Sequence, residues 1–487
     1  MHSGGDIAGG HCPRWEARAL SERQRAPPHR TTGPATLRTP PGFVLTLPSA
    51  PHPSLLVALA VLPLAACGPA GIQVGGDATS DTSADTPSDT SGPVVTWYGD
   101  IQPLVQTYCE RCHREGGLAP FVLNTPEAGQ AMALSMLDAI DGGRMPPGAS
   151  DPACRDYVGS ERLHLPVAQR DLLAAWIADD LPLGDPASAP EPPPPDETLE
   201  QVDLEVAIPT RYVPSFADPE NPNNEYRCFY LDPGLEETAY VSALHPRIDN
   251  DALVHHIVLF STPAGDLPAD YDPAVGEDCI DNVAGNILGM MAAWAPGMLP
   301  VRFPEGVGLP VPAGNLIVMQ VHYYASTPEV AAAGDASGYQ FTLTPDVAEE
   351  LKMAPLGWQD FTIPAGDPAY SNEFELEIPS WTPFSLNAYG MFPHMHVLGT
   401  GYHAWLEHED EDTCLVRSDR YDFGNQLTYQ YLEPAVIAPG DRFHFSCTWD
   451  NSAENPNQTH SPPIDVGYGE RTDEEMCYAF TYLSVAP

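Results

Sequence analysis

The chain has 487 residues, of which 43% are apolar, and a formal net charge of −46. This length allows about three domains, and the apolar fraction is sufficient for a sizeable core. The strong negative charge argues against nucleic acid and anionic membrane surfaces as partners and favours cations. The 55 prolines and 40 glycines favour short strands and loops over long helices.

The first clear pattern in chain order is the apolar run SLLVALAVLPLAAC at 54–67. It is too short to span a bilayer and is typical of the apolar part of a secretory signal. Its end resembles a bacterial lipobox, which predicts Cys67 as the lipid-carrying first residue of an exported, membrane-anchored lipoprotein of the periplasm, outer membrane or cell surface. The alternative is an apolar run that precedes a cysteine by chance. In the lipobox interpretation, residues 1–67 are a leader. Its unusual length suggests a translation start further downstream.

Two linkers divide the rest of the chain. Residues 68–94 are small, polar and acidic, and they cannot bury enough surface to fold, which predicts a flexible linker. Residues 187–199 are rich in proline and predict a stiffer one. These linkers leave a small unit at 95–186 and a long remainder from residue 200.

The small unit contains YCERCH, in which Cys109, Cys112 and His113 form the C-x-x-C-H pattern of c-type haem attachment. The thiols bond covalently to the haem, and the histidine ligates its iron. Half of a zinc site and a redox cysteine pair are the alternatives, but no second C-x-x-C and no thioredoxin-like context follow. Met145 is the favoured second axial ligand because prolines stiffen its loop, and His164 is the rival.

Helical patterns surround this motif at 97–108, 128–141 and 169–184. Together they resemble the small all-α cytochrome c fold, which predicts a cytochrome c-like domain with one haem c per chain.

Five histidines of the long remainder lie in apolar, strand-like runs. His394 and His396, in FPHMHVLG, would point to the same face of a strand. His255 and His256, in ALVHHIVLF, are adjacent, so they would need a bulge or a strand end to share a metal ion. His322 lies in a third run, IVMQVHYY. An imidazole without a partner is energetically unfavourable in such an apolar run, so metal binding offers a common explanation for the five histidines. The alternative is that they are polar groups with hydrogen-bond partners at a sheet edge.

The order of the motifs HH, QVHY, HMH and EMC resembles the copper type II ascorbate-dependent monooxygenases over roughly 200–487. The resemblance implies two all-β antiparallel sandwich domains, at 200–348 and 349–487, and two coppers per chain. The ligand sets that it implies are His255, His256 and His322 for a copper that stores and passes an electron, and His394, His396 and Met476 for a copper that activates O2.

The choice of Met476 also agrees with strand geometry. Met391 and Met395 are closer to the histidine pair in sequence, but alternation puts them on the opposite face of a strand. A thioether ligand favours reduced copper, the state that must meet O2. The resemblance further implies that Gln320 orients solvent or a ligand beside the first copper.

The resemblance implies two disulfides, which suit an exported protein. They are Cys228–Cys279 in the first sandwich and Cys447–Cys477 beside the methionine. Cys154 and Cys414 have no implied role and either pair or remain free.

Two positions depart from the peptide-hydroxylating members of the family. Phe392 stands where those enzymes hold a substrate carboxylate with arginine, and Phe480 stands where they contact substrate with tyrosine. We therefore expect hydroxylation of a C–H bond in a more apolar small molecule, using O2 and electrons from a small reductant or a redox protein, with entry through the haem domain. The alternatives are a non-catalytic periplasmic copper and haem electron carrier or copper-handling protein, and a binding sandwich whose histidines are satisfied without metal.

Overall fold

The computed structural model describes residues 94–486 except 116, 118, 192–197, 218–222, 280–288, 326, 410 and 470. The leader, Cys67 and almost all of the first linker lie outside the described residues, as does the centre of the proline-rich linker. Within the described part of the chain, no helix is both long and apolar enough to cross a membrane.

The small unit is helical and has its own apolar core. Its elements are a π-helical turn at Trp97–Ile101, α1 (Gln102–Tyr108), α2 (Pro126–Asp141), a 3-10 turn at Ser160–Arg162 and α3 (Val167–Ala178). Thr125 caps α2 by accepting the N–H of Ala128. Helix α3 ends six residues before the predicted end at 184 because Asp180 and Leu181 adopt left-handed backbone conformations. The Trp97 and Trp176 rings, 5.7 Å apart, lie in the core.

The first sandwich contains two sheets. Its strands are β1 (Leu204–Ala207), β2 (Asn224–Leu231), β3 (Ala239–Arg247), β4 (Val254–Pro263), β5 (Glu277–Asp278), β6 (Met290–Trp294), β7 (Val301–Arg302), β8 (Val307–Val311), β9 (Asn315–Tyr324), β10 (Gly338–Thr344) and β11 (Glu349–Glu350). One sheet has the order β5-β2-β9-β4-β6, and the other has the order β1-β10-β3-β8-β11 with β7 beside β3. A short helix, α4 (Pro328–Ala333), follows β9, and 3-10 turns lie at Pro186–Ser188 and Ala264–Asp266.

The second sandwich also contains two main sheets. Its strands are β12 (Lys352–Gly357), β13 (Thr362–Ile363), β14 (Tyr370–Glu377), β15 (Leu386–His394), β16 (Gly399–Glu407), β17 (Thr413–Ser418), β18 (Tyr429–Ile437), β19 (Arg442–Trp449), β20 (Val466–Gly467) and β21 (Tyr478–Val485). The sheets have the orders β12-β21-β15-β18 and β14-β19-β16-β17, and β13 pairs with β20.

The prediction of β-sandwich architecture is confirmed, with one local difference. Strand β11 pairs in parallel with β8, so the sheets are not wholly antiparallel. Strand β11, at Glu349–Glu350, belongs to a sheet of the first sandwich.

The small unit is attached to the second sandwich through residues 148–158, which we call the docking segment. A disulfide joins Cys154 to Cys414, so the two cysteines without an implied role are paired. The backbone N–H of the buried Ser150 donates to the Tyr429 hydroxyl at 3.0 Å, and the N–H of Val158 donates to the carbonyl of Gln430 at 2.9 Å. The helical unit is therefore held against the sandwich by covalent and hydrogen bonds.

Candidate metal centres

The first histidine cluster lies on two neighbouring strands, β4 and β9. The strand register pairs His256 with His322, and a bulge between Val254 and His256 changes the direction of the intervening residue, His255. The Nδ1 atom of His256 lies 3.2 Å from that of His255 and 3.3 Å from that of His322. The sequence required a bulge or a strand end for these residues to share an ion, and a bulge is present. The structure brings all three imidazoles together.

Strand β2 supports this cluster from the other side of β9. The Asn224 side chain accepts a hydrogen bond from Nε2 of His322 at 2.8 Å, and the Tyr226 ring stacks on the His322 ring at 4.1 Å. A proton on Nε2 leaves the Nδ1 lone pair of His322 available to a metal ion. Sequence reasoning missed both supporting residues because neither belongs to a motif.

The electrostatics of the first cluster favour neutral imidazoles. Burial holds the pKa values of His256 and His322 well below the ordinary value, and the neighbouring histidines lower them further. Burial also lowers the pKa of His255, although the Asp422 carboxylate opposes this effect. Three neutral imidazoles whose Nδ1 atoms converge are a donor set that suits copper or zinc, so the residues present fit a bound metal ion.

The second histidine pair lies at the end of β15. His394 is the last residue of that strand, whereas His396 follows it outside the sheet. We expected both on one strand, but β15 stops because the N–H groups of His396 and Leu398 donate to the Glu475 carboxylate, at 2.8 and 2.7 Å. The two imidazole rings nevertheless lie 5.1 Å apart.

The Nδ1 atoms of this pair are already engaged. Nδ1 of His394 donates to Oε1 of Gln426 at 2.6 Å, and Nδ1 of His396 donates to the Glu474 carbonyl at 3.0 Å. Each Nε2 is thereby left unprotonated and available as a ligand. Burial lowers the pKa of His394 to about 4 and that of His396 to about 3, so both imidazoles are neutral at ordinary pH.

Met476 is linked to this pair through its chain neighbour, Glu475. The Glu475 carboxyl group is fully buried and also accepts from the Trp449 indole at 2.9 Å; burial raises its pKa, and the N–H groups that donate to it oppose this rise. Met476 follows directly, is 5% exposed and precedes Cys477. A side-chain hydrogen bond of the residue before Met476 thus reaches the His396 backbone, and the role of Met476 as sulfur ligand stays a prediction. The acidic residue just before the methionine was a sequence signal whose structural role we did not predict.

The two clusters face each other. His394 and His396 are close enough to His256 to depress its pKa, although less than burial does. Tyr226, which stacks on His322, hydrogen-bonds Thr472 in the segment that leads to Met476. The first and second sandwiches thus present their histidines to the same inter-domain space.

The remaining site residues of the sandwiches have other partners. The side-chain amide of Gln320 lies 3.9 Å from the sulfur of Cys279, and its role beside the first copper stays a prediction. Both implied disulfides, Cys228–Cys279 and Cys447–Cys477, are present.

In the haem motif, both cysteines are unpaired, and burial raises the pKa of Cys109 to about 12. His113 is buried, and its Nδ1 donates to the Phe121 carbonyl at 3.2 Å, which leaves Nε2 available. Among the described residues, the buried Nη1 atom of the half-buried Arg111 has no hydrogen-bond partner.

The two candidate axial ligands differ in their surroundings. Nε2 of His164 lies 2.8 Å from the Ser150 carbonyl and 3.0 Å from the Tyr157 hydroxyl, so its described contacts are with the docking segment. Met145 is 41% exposed. The choice between Met145 and His164 as an axial ligand stays a prediction.

Comparisons with known proteins agree with this geometry. Residues 212–329 match the N-terminal domain of the copper type II ascorbate-dependent monooxygenases, and residues 370–484 match the C-terminal domain. The first match contains the first histidine cluster, and the second contains the HMH pair and Met476.

Three curated relatives are similar to the same region. Peptidyl-glycine alpha-amidating monooxygenase A of Xenopus laevis is 24% identical over 54% of this chain and 27% of its own length. DBH-like monooxygenase protein 2 of Mus musculus is 23% identical over 55% of this chain and 44% of its own. Tyramine beta-hydroxylase of Caenorhabditis briggsae is 23% identical over 51% of this chain and 43% of its own. The chain spans less than half the length of these relatives. The two matched regions are similar to the N-terminal and C-terminal domains of the copper type II ascorbate-dependent monooxygenases and follow each other in that order along this chain.

Proposed function

We propose that this protein hydroxylates a C–H bond of a small, apolar organic substrate with O2, using two coppers per chain. The observation that carries the proposal is the pair of facing histidine clusters, one with three converging Nδ1 atoms and one whose two Nδ1 atoms are held by hydrogen bonds. In such a reaction one oxygen atom enters the substrate as hydroxyl and the other leaves as water, which requires two electrons and two protons. Bound copper supplies one-electron redox chemistry and O2 activation.

The protein's own residues prepare the two sites. His255, His256 and His322 are neutral and present lone pairs, and Asn224 fixes the tautomer of His322. Gln426 fixes the tautomer of His394 in the same way, because its own amide nitrogen donates to the Phe423 carbonyl and thereby directs Oε1 toward the imidazole. Met476 would complete the second ligand set.

The substrate class follows from the aromatic surroundings of the second cluster. The Phe392 and Phe480 rings lie 5.9 and 6.2 Å from the His394 ring, and Phe423 lies 6.0 Å from the His396 ring. The two positions that handle polar substrate groups in the peptide-hydroxylating members are therefore phenylalanines packed at the site. Such walls exclude water and favour a neutral substrate over one with a carboxylate.

We further propose that the small unit binds one haem c, attached through Cys109 and Cys112 with His113 as an axial ligand and Met145 as the other. The unpaired thiols, the free Nε2 of His113 and the unpartnered Nη1 of Arg111, which suits a haem propionate, support this fit. The haem would receive electrons from a small reductant or a redox protein. Export as a lipoprotein anchored through Cys67 remains part of the proposal.

The proposal is tested on the purified full-length protein after export. Metal analysis with EPR should give two coppers and one haem per chain. With ascorbate as reductant, O2 uptake should depend on apolar candidate substrates and be weaker with carboxylate-bearing analogues. Full copper and haem content without substrate-dependent O2 uptake for any substrate would instead support an electron carrier. Absence of stoichiometric copper would reject both functions.

A further inference from the structure

Arg111 connects the haem motif to both sandwiches. It lies between the two motif cysteines, and its Nη2 donates to Oδ1 of Asn425 in the second sandwich at 3.0 Å. Its aliphatic stem packs on Gly297 of the first sandwich, where a Cβ atom would lie 2.8 Å from Cδ of Arg111. A glycine at 297 is needed for this close approach, so the motif sits at the junction of three domains.

A short bonded chain continues from Asn425 to the second histidine pair. The next residue, Gln426, accepts a hydrogen bond from Nδ1 of His394 at 2.6 Å. The Arg111 guanidinium is therefore joined to the His394 imidazole by two hydrogen bonds. Between them lie the side chains of Asn425 and Gln426 and the peptide bond that links these residues. By contrast, the hydrogen bonds described for the first cluster run among its own imidazoles and to Asn224.

The docking segment also contacts this hydrogen-bonded path from Arg111 to His394. The Asn425 amide donates to the Gly148 carbonyl at 3.1 Å, and Gly148, Pro393, Asn425 and Gln426 border the same narrow internal gap. A Cβ atom at Gly148 would lie 1.4 Å from the Arg420 carbonyl oxygen, so only glycine allows this contact. Together with the Cys154–Cys414 disulfide, these contacts fix the small unit beside the second site.

We propose that Arg111, Asn425 and Gln426 form the electron route from the haem to the copper held by His394 and His396, without passage through the first cluster. This inference rests on the proposed haem and copper content. The transfer moves one electron from ferrous haem to copper(II) and gives ferric haem and copper(I), and no proton is consumed. The second site then receives one of the two electrons that the reaction needs directly from a docked donor.

The route is tested by flash photoreduction of the haem in the anaerobic, copper-loaded full-length protein. The readouts are haem reoxidation by absorbance and loss of the copper(II) EPR signal after freeze-quenching. The test variant is Asn425→Leu, which removes both hydrogen bonds of the relay amide. The matched control is Arg155→Met, because Arg155 also bonds across the interface, to the Glu433 carbonyl at 2.7 Å, but has no described link to His394.

We expect Asn425→Leu to slow haem reoxidation at least about tenfold, because the variant breaks the hydrogen-bonded link between Arg111 and the second site. Its haem midpoint potential should be unchanged, and the control should transfer at the original rate. In the unsubstituted protein the EPR signal of the His394 site should disappear first. Asn425→Ser replaces the leucine variant if copper loading shows misfolding.

An unchanged rate in Asn425→Leu, or first loss of the signal of the three-histidine site, overturns the route. Absence of haem overturns it together with the haem assignment, while ascorbate-driven hydroxylation would still support the monooxygenase function. Loss of that hydroxylation with an intact haem-to-copper step would instead contradict the proposed reaction and leave the route standing.

Discussion

The two histidine clusters present opposite ring nitrogens to the space where a metal ion would bind. In the first cluster, Nδ1 atoms meet at 3.2 and 3.3 Å, and Nε2 of His322 is held by Asn224. In the second, Gln426 and the Glu474 carbonyl occupy the Nδ1 atoms and leave Nε2 exposed to a ligand. The register of neighbouring strands positions the histidines of the first site, whereas contacts with residues outside β15 position those of the second.

This difference has a mechanical consequence. Nδ1 lies close to the backbone, so the strands β4 and β9 largely determine the geometry of the first site. Nε2 lies at the far edge of the ring, and in the second site only His394 belongs to a strand. We infer that the first site is the more rigid of the two and that the second depends on its supporting residues.

The largest expected effect is the loss of hydroxylation when a ligand of the second site alone is removed. Met476→Ala should reduce hydroxylation more than about 100-fold, because loss of a ligand exceeds the 10–100-fold cost of losing a supporting residue. The copper at the three-histidine site should remain bound, as counted by EPR. Met395→Leu is the matched control, since Met395 is fully buried in the same motif but is not assigned as a ligand. Full turnover in Met476→Ala would contradict the ligand assignment.

The next effect tests whether each tautomer-fixing amide serves only its own cluster. Asn224→Leu should weaken copper binding at the first site, and Gln426→Leu should weaken it at the second, each by about 10–100-fold. Chelator competition followed by site-resolved EPR measures both affinities. An equal loss of copper affinity at both sites in either variant would contradict the assignment of one supporting amide to each cluster.

Glu475→Gln tests the support of the HMH turn by a buried carboxylate. A glutamine has only one acceptor oxygen and places an NH2 group against N–H donors of His396, Leu398 or Trp449. We expect the free energy of unfolding of the copper-free protein to fall by about 1–3 kcal/mol, measured by urea denaturation.

The matched control for this change is Glu474→Gln, at a partly exposed neighbour, with an effect within about 0.5 kcal/mol. Copper affinity should fall at the second site and stay constant at the first. Equal stability of the Glu475→Gln and Glu474→Gln variants would show that the buried carboxylate does not hold the turn.

The same contrast explains what the sequence could predict. The family resemblance implied the grouping of His255, His256 and His322, and strand alternation added that a bulge or a strand end would be needed, which the register of β4 against β9 provides. The end of β15 after His394 was not predictable from local pattern, since its cause is the Glu475 carboxylate, 79 residues away from His396. Asn224 and Gln426 belong to no sequence motif. Each contacts its histidine only because the fold brings distant segments of the chain together. The Cys154–Cys414 bridge likewise joins residues 260 positions apart, which spacing alone could not reveal.

The smallest expected effect uses His164, a half-buried imidazole held by protein groups alone. Burial lowers its pKa in the folded state, so between that value and the ordinary value of about 6.5 the unfolded chain binds more protons. The contribution of His164 to the unfolding free energy is therefore lost as pH falls below about 6.5. Copper should protect the two clusters from protonation, whereas His164 stays responsive in the loaded protein. Urea denaturation of the copper-loaded protein near pH 7.5 and near pH 5.5 should show a smaller pH dependence in His164→Gln. Identical pH dependence in the two proteins would mean that the contacts with Ser150 and Tyr157 tolerate the charged imidazole.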